Sequence, residues 1–500
     1  MYKPLEIVIV GGGTAGWMCA AALASLVGEK ICKIILVESD EISTVGVGEA
    51  TLPHMKDFND RIGIDEADMM RQTQATIKLG IQFVDWGRLS GSYVHPFGKH
   101  GKQIGGVEFH QQWARVQNSE KTKNIDLYSF AIQSALKNKF QFPDNNPQKI
   151  NSTFSYAYHF DASLYAPYLR KFSEQKNVTR IEGKVVNVVN NSDSGNLESI
   201  VLTSGQIIRG DFFIDCSGFR SLLLNKNLQV SFEDWSKWLV CDRAFAVPSE
   251  ALNELPPYTQ SKAKSAGWQW RIPLQQRTGN GYVFSSHYIS EDEAASSLLG
   301  DIDGEVTSQP RLLTFKAGRY KKTWVKNCIA IGLASGFLEP LESTSIYLIQ
   351  AAILNFIKLF PGQYPDTAAL NEYNRLMDIE YERIRDFLIL HYHLNQRDDA
   401  ELWRYCRNME IPESLQEKIT LFKHRGYVDT YKYGLFSLPS WISVFTGQNL
   451  IQQGFNPLVS KVTTDVVSQK LNELQLEIAE TLSNADTHKT FIAQYCPTPH

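Results

Sequence analysis

The stretch that most constrains this chain is Glu6–Gly16, which reads EIVIVGGGTAG. A β-branched run that ends in glycines predicts a buried parallel strand followed by a tight turn. Gly11, Gly13 and Gly16 fit the pattern G-x-G-x-x-G, whose glycines permit a sharp turn, close approach to a pyrophosphate and close packing of helix on strand. A helix-like run, Trp17–Leu26, follows, so phosphates would meet the free N–H groups and the positive end of a helix dipole.

A second strand-like run supports the same interpretation. Lys33–Val37 ends at Glu38, which lies 22 residues beyond Gly16. In dinucleotide-binding folds an acidic residue about 20 residues beyond the last glycine receives a ribose hydroxyl. The alternative, a glycine-rich turn that binds nothing, explains neither the second strand nor its acidic end. We therefore predict an adenine dinucleotide, either FAD or NAD.

Composition excludes several classes of protein. The 500 residues are 43% hydrophobic with a net charge of −4, so one to three domains are expected and nucleic acid is not an expected partner. No apolar run reaches the roughly 18 residues of a membrane helix, and a strand that begins at Glu6 leaves no room for a signal peptide. The seven cysteines lack C-x-x-C spacing, which predicts reduced thiols and no metal site. We expect a cytoplasmic protein.

Strand endings repeat along the chain. Asp211–Gly218 and Asn327–Gly336 are further buried runs that end in small residues, which implies one sheet returning to one ligand edge. Shorter strands over 180–208 predict a smaller inserted sheet. From residue 346 the pattern becomes helical. The fold class predicted is α/β: a Rossmann-like FAD-binding module with an inserted β-sheet on the substrate side (1–345), and a mainly helical C-terminal region that completes the pocket (346–500).

Two extended segments contain polar side chains with two interpretations. Thr76–Trp86 alternates with strand periodicity and places Lys78 on the polar face, where the pattern alone favours a solvated lysine over a catalytic one. His95 and Phe97 project from the same side of an extended chain and can form one wall of an aromatic slot. A surface loop is the alternative there.

Helices are predicted from spacing and capping signals. Ala157–Phe172 is predicted as a helix capped near Asp161, and residues 110–152 as a polar excursion from the sheet. Val466–Leu482 is predicted as the last helix, with Asp465 as its N-cap. The helices predicted before it are Ile346–Leu359, Leu370–Leu394, Asp398–Met409 and Glu413–Lys423.

A specific motif lies at Gly267–Leu274, which reads GWQWRIPL. Its Trp268, Trp270 and Ile272 match the W-x-W-x-I-P signature of flavin-dependent tryptophan halogenases. Further segments resemble the family along nearly the whole chain, less closely after about residue 425: the glycine loop, VGVGEATLP (45–53), IKLGIQFVDW, HPFG, AYHFDA, DCSGFR (215–220) and FLEPLEST (337–344).

The resemblance implies an FAD module of the flavin monooxygenase type and a two-component enzyme. Members bind FADH2 from a separate flavin reductase, and oxygen and halide then give hypohalous acid, which passes through the interior to a lysine beside an aromatic substrate. Lys78 matches that lysine, and Glu342 matches the glutamate beside it. Thr344 and Ser345 fall where backbone amides face chloride or bromide, although the family usually has glycine at the position of Ser345.

The resemblance also implies two sets of binding residues. The FAD contacts carried over are Gly11, Gly13, Thr14, Ala15, Gly16, Glu38, Gly48, Glu49, Ala50, Trp268, Trp270, Ile272, Gly332 and Leu341. The substrate contacts are His95, Phe97, Phe436 and Trp441. Tyr431 aligns near a glutamate that would hold the ammonium of free tryptophan, and a phenol cannot balance an ammonium as a carboxylate does. A bare indole, an indole derivative, a phenol or a pyrrole is therefore favoured over free tryptophan.

The proposed chemistry requires these residue types. Hypohalous acid is indiscriminate, so selectivity must come from positioning, and an amine can hydrogen-bond and polarise the acid or form a haloamine. Glu342 can stabilise the ring cation or take its proton, whereas the alternative for the Lys78–Glu342 pair is an ordinary salt bridge. The two tryptophans would keep substrate from the flavin.

The rival functions are an aromatic hydroxylase of the flavin monooxygenase type and a non-catalytic flavoprotein. We expect reduced flavin to arrive from the reductase by diffusion. Assembly of the protein as a homodimer is an open alternative.

Overall fold

The structure is a computed structural model that describes residues 3–41, 48–117, 124–362, 366–429, 431 and 434–498. The predicted cofactor loop at 45–53 therefore lies partly outside the described residues, which resume at Gly48. The described strands are β1 Leu5–Val10, β2 Cys32–Glu38, β3 Gly48–Ala50, β4 Thr76–Lys78, β5 Gly80–Val84, β6 Ser92–Pro96, β7 Lys139–Phe140, β8 Ala157–Asp161, β9 Thr179–Glu182, β10 Val185–Asn190, β11 Leu197–Leu202, β12 Ile207–Arg209, β13 Phe212–Asp215, β14 Phe232–Asp234, β15 Arg243–Glu250, β16 Thr259–Lys264, β17 Gly267–Pro273, β18 Arg277–Phe284, β19 Arg311–Thr314, β20 Gly318–Tyr320, β21 Trp324–Val325, β22 Cys328–Ala330, β23 Gly336–Phe337 and β24 Asp486–Thr487.

Helices follow the same chain order. The described α-helices are α1 Thr14–Leu26, α2 His54–Ile62, α3 Glu66–Gln72, α4 Phe109–Gln117, α5 Phe130–Leu136, α6 Ala162–Glu174, α7 Glu291–Gly300, α8 Thr344–Lys358, α9 Thr367–His393, α10 Glu401–Asn408, α11 Glu413–Arg425, α12 Leu438–Gly447, α13 Thr464–Ser483 and α14 His488–Tyr495. Within the described ranges, none of them is long and apolar enough to cross a membrane. The cytoplasmic location stays a prediction.

The first of two compact units comprises Met1–Ala75, Phe160–Asp242 and Thr314–Glu382. Its main sheet has the strand order β21-β22-β13-β1-β2-β9, and every neighbouring pair except β21–β22 is parallel. The helix α1 connects β1 to β2, which is the βαβ arrangement expected of a Rossmann-like module. The predicted α/β class is confirmed.

The middle strands of this sheet end at one edge. Ile7 to Val10 are buried, as expected for a parallel strand covered on both faces. Val10 is in register with Asp215 of β13, and Asp215 is in register with Ala330 of β22. The three strand-to-glycine endings therefore meet at the same edge, as the sequence predicts. The strands predicted over 180–208 form β9, which joins the main sheet, and the antiparallel sheet β10-β11-β12.

The second unit comprises Thr76–His159, Arg243–Leu313 and Arg383–His500. It contains a seven-stranded sheet of order β19-β15-β18-β17-β16-β5-β6, in which β16 and β5 are parallel and the pairs from β15 to β16 are antiparallel. This division differs from the boundary predicted at 345/346, because α8 and most of α9 belong to the nucleotide-binding unit. The functional assignment of 1–345 and 346–500 stays a prediction.

Local predictions failed at three places. Thr76–Trp86 is two strands, β4 and β5, that belong to different sheets, so its alternation does not define one polar face. Residues 157–161 are strand β8, although Asp161 does cap the helix that follows by accepting the N–H of Ser163. The N-cap of α13 is Thr463, and Asp465 lies in its first turn. The described part of 110–152, predicted as a polar excursion from the sheet, adds no strand to either main sheet and includes two short helices, α4 and α5, as well as loops.

Candidate active site

The glycine loop shapes the ligand edge of the first unit. A Cβ at Gly11, whose φ is +114°, would overlap the carbonyl oxygen of Cys216, and a Cβ at Gly16 would overlap that of Gly11. A Cβ at Gly13 would meet no atom within 4 Å. Two glycines are therefore fixed by the turn and by helix packing, whereas the third faces open space.

The open space lies at the beginning of α1. Gly13 is the N-cap of this 13-residue helix and offers no side-chain cap, so Thr14, Ala15 and Gly16 begin the helix with N–H groups free for a ligand. Free amides and a helix dipole at a glycine cradle suit a pyrophosphate. The residues present therefore fit the phosphates of a dinucleotide.

Glu38 lies beside the loop, as the sequence predicts. Its carboxylate accepts Nε of Arg180 at 2.5 Å and Nε1 of Trp17 at 3.3 Å. A carboxylate offers about four lone-pair sites, so Glu38 keeps acceptor capacity for a ribose hydroxyl. Arg180 was missed from the sequence because it lies on β9, remote in the chain from the glycine motif.

The other predicted flavin contacts of the first unit lie in short elements. Gly48–Ala50 forms β3, and burial raises the pKa of Glu49 to about 7. Gly332 has φ +73°, and a Cβ there would lie 2.9 Å from Cβ of Ala15, so glycine permits close approach to α1. Leu341 is buried.

The beginning of α8 has the chemistry of an anion site. Ser343, in the left-handed conformation, is the N-cap of this 15-residue helix. Its side chain makes no capping hydrogen bond to the first amides of the helix. Thr344 is fully buried, and its Oγ1 has no hydrogen-bond partner among the described residues. Ser345 is half-buried. An orphaned hydroxyl at a helix N-terminus fits a halide. The halide role of Thr344 and Ser345 stays a prediction.

Glu342 directly precedes this N-cap. It ends the 3₁₀-helix Pro340–Glu342 and is fully buried. Because Glu342 belongs to the first unit and Lys78 to the second, their pairing stays a prediction.

Lys78 ends strand β4 in the second unit and is completely buried, which contradicts the solvated alternative. Leu79, the next residue, donates its N–H to the carbonyl of Pro257 and accepts that of Phe97. These bonds end β4 before β5 begins. The Lys78 Nζ lies 5.0 Å from the centroid of the Phe97 ring. An ammonium over an aromatic face is favourable, and more so away from water.

Buried histidines surround the lysine strand. Thr76, on β4, contacts Nδ1 of His159 with its Oγ1 at 3.1 Å. The other ring nitrogen of His159, Nε2, contacts Oγ1 of Thr259 at 2.9 Å. Burial, and then the charge of Lys78, holds the pKa of His159 well below its usual value. His159 is therefore neutral, with a hydroxyl at each ring nitrogen.

The tryptophan motif forms β17. Trp268 and Trp270 are buried side by side, with ring centroids 6.1 Å apart. The six-membered ring of Trp270 occupies the space that a Cβ at Gly281 of β18 would take. Gly281 is thus a positioning residue that the sequence pattern did not reveal. Ile272 follows on the same strand and is also buried.

The predicted substrate residues belong to an aromatic cluster in the second unit. Phe436 stacks on Phe387 with centroids 3.7 Å apart, and Trp441 meets Phe387 edge-on at 5.1 Å. His95 lies 5.5 Å from Phe387 and 6.1 Å from Phe436, while Phe97 packs with Lys78. Sequence reasoning missed Phe387, because its position in α9 has the spacing of an ordinary core residue.

Comparison with known proteins decides the family. The tryptophan halogenase family model matches residues 6–464. This chain belongs to the tryptophan halogenase family. It is 37% identical over 453 residues to tryptophan 6-halogenase ThaL of Streptomyces albogriseolus, a match that covers 86% of this chain and 82% of the relative. Tryptophan 7-halogenase RebH of Lentzea aerocolonigenes is 34% identical over 443 residues, covering 84% of this chain and 82% of the relative.

Solved structures agree. Xcc4156, a flavin-dependent halogenase from Xanthomonas campestris, has a TM-score of 0.96 at 42% identity and covers 99% of both chains. BrvH, a flavin-dependent halogenase from Brevundimonas sp. BAL3, has a TM-score of 0.95 at 40% identity, covering 99% of this chain and all of the other. The halogenase is thus an enzyme that uses FAD, as FADH2, and halide. Family membership implies a separate flavin reductase and an aromatic substrate, and it does not favour the hydroxylase or the non-catalytic flavoprotein.

Proposed function

We propose that this halogenase brominates or chlorinates an indole-type aromatic compound, with Lys78 as the residue that holds the oxidised halogen beside the ring. The observation that carries the proposal is the complete burial of Lys78, with its Nζ 5.0 Å from the centroid of Phe97. A lysine with only a structural role on an exposed strand face would instead extend into water.

Each residue has a stated role. Reduced flavin, when bound, would supply the two electrons that activate molecular oxygen, and the activated oxygen would be the oxidant that converts halide to hypohalous acid. The Lys78 ammonium donates a hydrogen bond to that acid, which polarises it and fixes its place near one ring carbon. Glu342 takes the ring proton after the halogen adds. The first amides of α8, at Thr344 and Ser345, hold the halide. Trp268 and Trp270 keep the substrate from the flavin.

The substrate assignment rests on the aromatic cluster and on Tyr431. His95, Phe97, Phe436 and Trp441 supply flat apolar surfaces for a ring. Tyr431, where relatives would place a carboxylate, favours an indole without an amino-acid ammonium. We expect the reductase to deliver FADH2 by diffusion, and the assembly state, including a homodimer, is open to measurement.

The test is a reconstituted reaction with purified protein, FAD, a flavin reductase, NADH, oxygen and bromide. Indole should yield a brominated product by mass spectrometry. Lys78→Ala should abolish that product while reoxidation of the reduced flavin by oxygen continues at the normal rate, because the lysine acts after the flavin step.

Lys99→Ala is the matched control, because Lys99 is an exposed lysine on the loop after Phe97. It should brominate indole like the unaltered protein. Brominated product from Lys78→Ala near the normal rate would refute the lysine assignment. Hydroxylated product alone, across a panel of aromatic substrates, would refute halogenation.

A further inference from the structure

We propose that His159 is a positioning residue for halogenation, which holds the strand of Lys78 at a fixed place relative to the strand of Trp268 and Trp270. The inference rests on the proposed function, because it concerns how the halogen-binding lysine is placed. The link is a chain of hydrogen bonds between side chains that passes through the imidazole.

The lysine and the tryptophans lie on different sheets. Lys78 ends the three-residue strand β4, whose partner is β8, whereas Trp268 and Trp270 lie on β17 of the seven-stranded sheet. Among the described strands, no backbone ladder pairs β4 with β17. A three-residue strand makes few ladder bonds of its own, so side-chain contacts contribute much to its placement.

The hydroxyl of Thr76 joins the lysine strand to the tryptophan strand. Its Oγ1 lies 2.7 Å from the carbonyl oxygen of Pro273, the last residue of β17, and 3.1 Å from Nδ1 of His159. A carbonyl oxygen only accepts, so the single hydroxyl proton of Thr76 is donated to Pro273. The imidazole therefore carries its proton on Nδ1 and donates it to Thr76, since two acceptors at that distance would repel each other.

The other ring nitrogen completes the chain. Burial, and then the charge of Lys78, holds the pKa of His159 well below its usual value, so the ring is neutral and its Nε2 accepts. The donor is the hydroxyl of Thr259 on β16, at 2.9 Å. All three hydrogen bonds then run in one direction, from Thr259 to Pro273, and bonds arranged in this way polarise and strengthen one another.

The chain is closed to water. Thr76 and His159 have no exposed surface, and Thr259 is 4% exposed. Breaking any of the three bonds leaves a buried polar group without a partner, which is costly. The chain thus favours one position of β4, and oxidised halogen that has passed the tryptophans meets the Lys78 amine in one geometry.

The first measurement is nitrogen NMR of the full chain labelled with nitrogen-15 histidine, which needs neither flavin nor substrate. The His159 resonances, assigned by their absence from His159→Gln, should show a protonated Nδ1 and an unprotonated Nε2 at neutral pH. A proton on Nε2, or on both nitrogens, overturns the inference.

The second measurement is the partition of oxidised bromine between indole and taurine in solution, an amine that traps escaped hypobromous acid as an N-bromoamine with release of water. Thr76→Val should lower the ratio of brominated indole to trapped bromine by about fivefold, the factor of one ordinary hydrogen bond. Thr76→Ser, which keeps the hydroxyl, should restore most of the ratio. A purely structural role would lower the folded fraction and leave this ratio unchanged.

Thr73→Val is the control, because its buried hydroxyl also donates to a backbone carbonyl, that of Met69 at the end of α3. Its ratio should equal that of the unaltered protein. An unmoved ratio in folded Thr76→Val, or equal losses in Thr76→Val and Thr76→Ser, overturns the inference. Normal bromination by Lys78→Ala would refute the proposed function separately, and a proton on Nδ1 would then still establish the hydrogen-bonded chain.

Discussion

The imidazole Nε2 of His488 accepts the backbone N–H of Ile77 at 3.0 Å, one residue before Lys78. Its Nδ1 donates to the carbonyl of Leu255 at 2.7 Å. Because Nε2 accepts, the ring is neutral and carries its proton on Nδ1. The helix α14, which His488 begins, therefore fixes the position of the strand that carries the proposed halogen-binding lysine.

Removing the imidazole should weaken that strand. We expect His488→Ala to lower the free energy of unfolding by about 1–3 kcal/mol, because the buried N–H of Ile77 loses its acceptor. Halogenation should fall by more than the folded fraction does, whereas flavin reoxidation should persist. Denaturant unfolding and product analysis measure both. His488→Gln, whose amide oxygen can accept the same N–H, should restore part of each; equal loss in the two variants would contradict this role.

The same histidine predicts acid sensitivity. Burial lowers the pKa of His488 to about 4 from its usual value near 6.5. As pH falls from 6.5 to 4 the unfolded chain takes up this proton before the folded chain, so stability decreases, by roughly 3 kcal/mol at most from this group. Chemical unfolding measured across that range should reveal the loss. His488→Gln should make the decline shallower, and an unchanged slope would refute the assignment.

Gly13→Val should block FAD binding without unfolding the protein. The new side chain would enter the open space at the beginning of α1, where nothing lies within 4 Å, so the fold tolerates it but a pyrophosphate does not. We expect at least a tenfold weaker affinity for FAD by fluorescence titration. Gly300→Val, at the exposed end of α7, is the control with a normal affinity. Unchanged FAD affinity in Gly13→Val would refute the placement.

Thr344→Val tests the halide site. The substitution removes a buried hydroxyl that has no partner among the described residues, so stability should be unchanged or slightly higher. The KM for bromide and for chloride should rise severalfold. Thr481→Val is the comparison, because that hydroxyl donates within α13 to the carbonyl of Glu477, far from the site in sequence. A normal KM for both halides in Thr344→Val would contradict a role for this hydroxyl.

Local patterns predicted the parts of the site that depend on neighbours in sequence. The glycine loop, with Glu38 at its side, needs only a strand, a turn and a helix in succession. Trp268 and Trp270 are two residues apart on one strand, so their spacing in the sequence already predicts that their rings lie on the same side. The burial of Lys78 could not be predicted this way, since the chain changes sheets at Leu79 and the period-two pattern stops defining faces there.

Long-range contacts account for most of what the sequence did not reveal. Gly281 matters because the ring of Trp270 covers it from the neighbouring strand. Arg383 on α9 and Lys418 on α11 both contact the ring of Tyr431, which lies in a loop. In the sequence each cation has the position of an ordinary solvated charge on the polar face of a helix. The strand at 157–161 was predicted as helix because the periodicity of its residues fits either structure. Pairing with β4, which is remote in sequence, makes it a strand.

The bond between Ile77 and His488 spans 411 residues. At a synthesis rate of about 5–20 residues per second, a ribosome needs roughly 20 to 80 s to travel between them. During that interval the Ile77 amide lacks its acceptor, so the nascent polypeptide waits for its distal portion before the proposed halogenating centre can assemble.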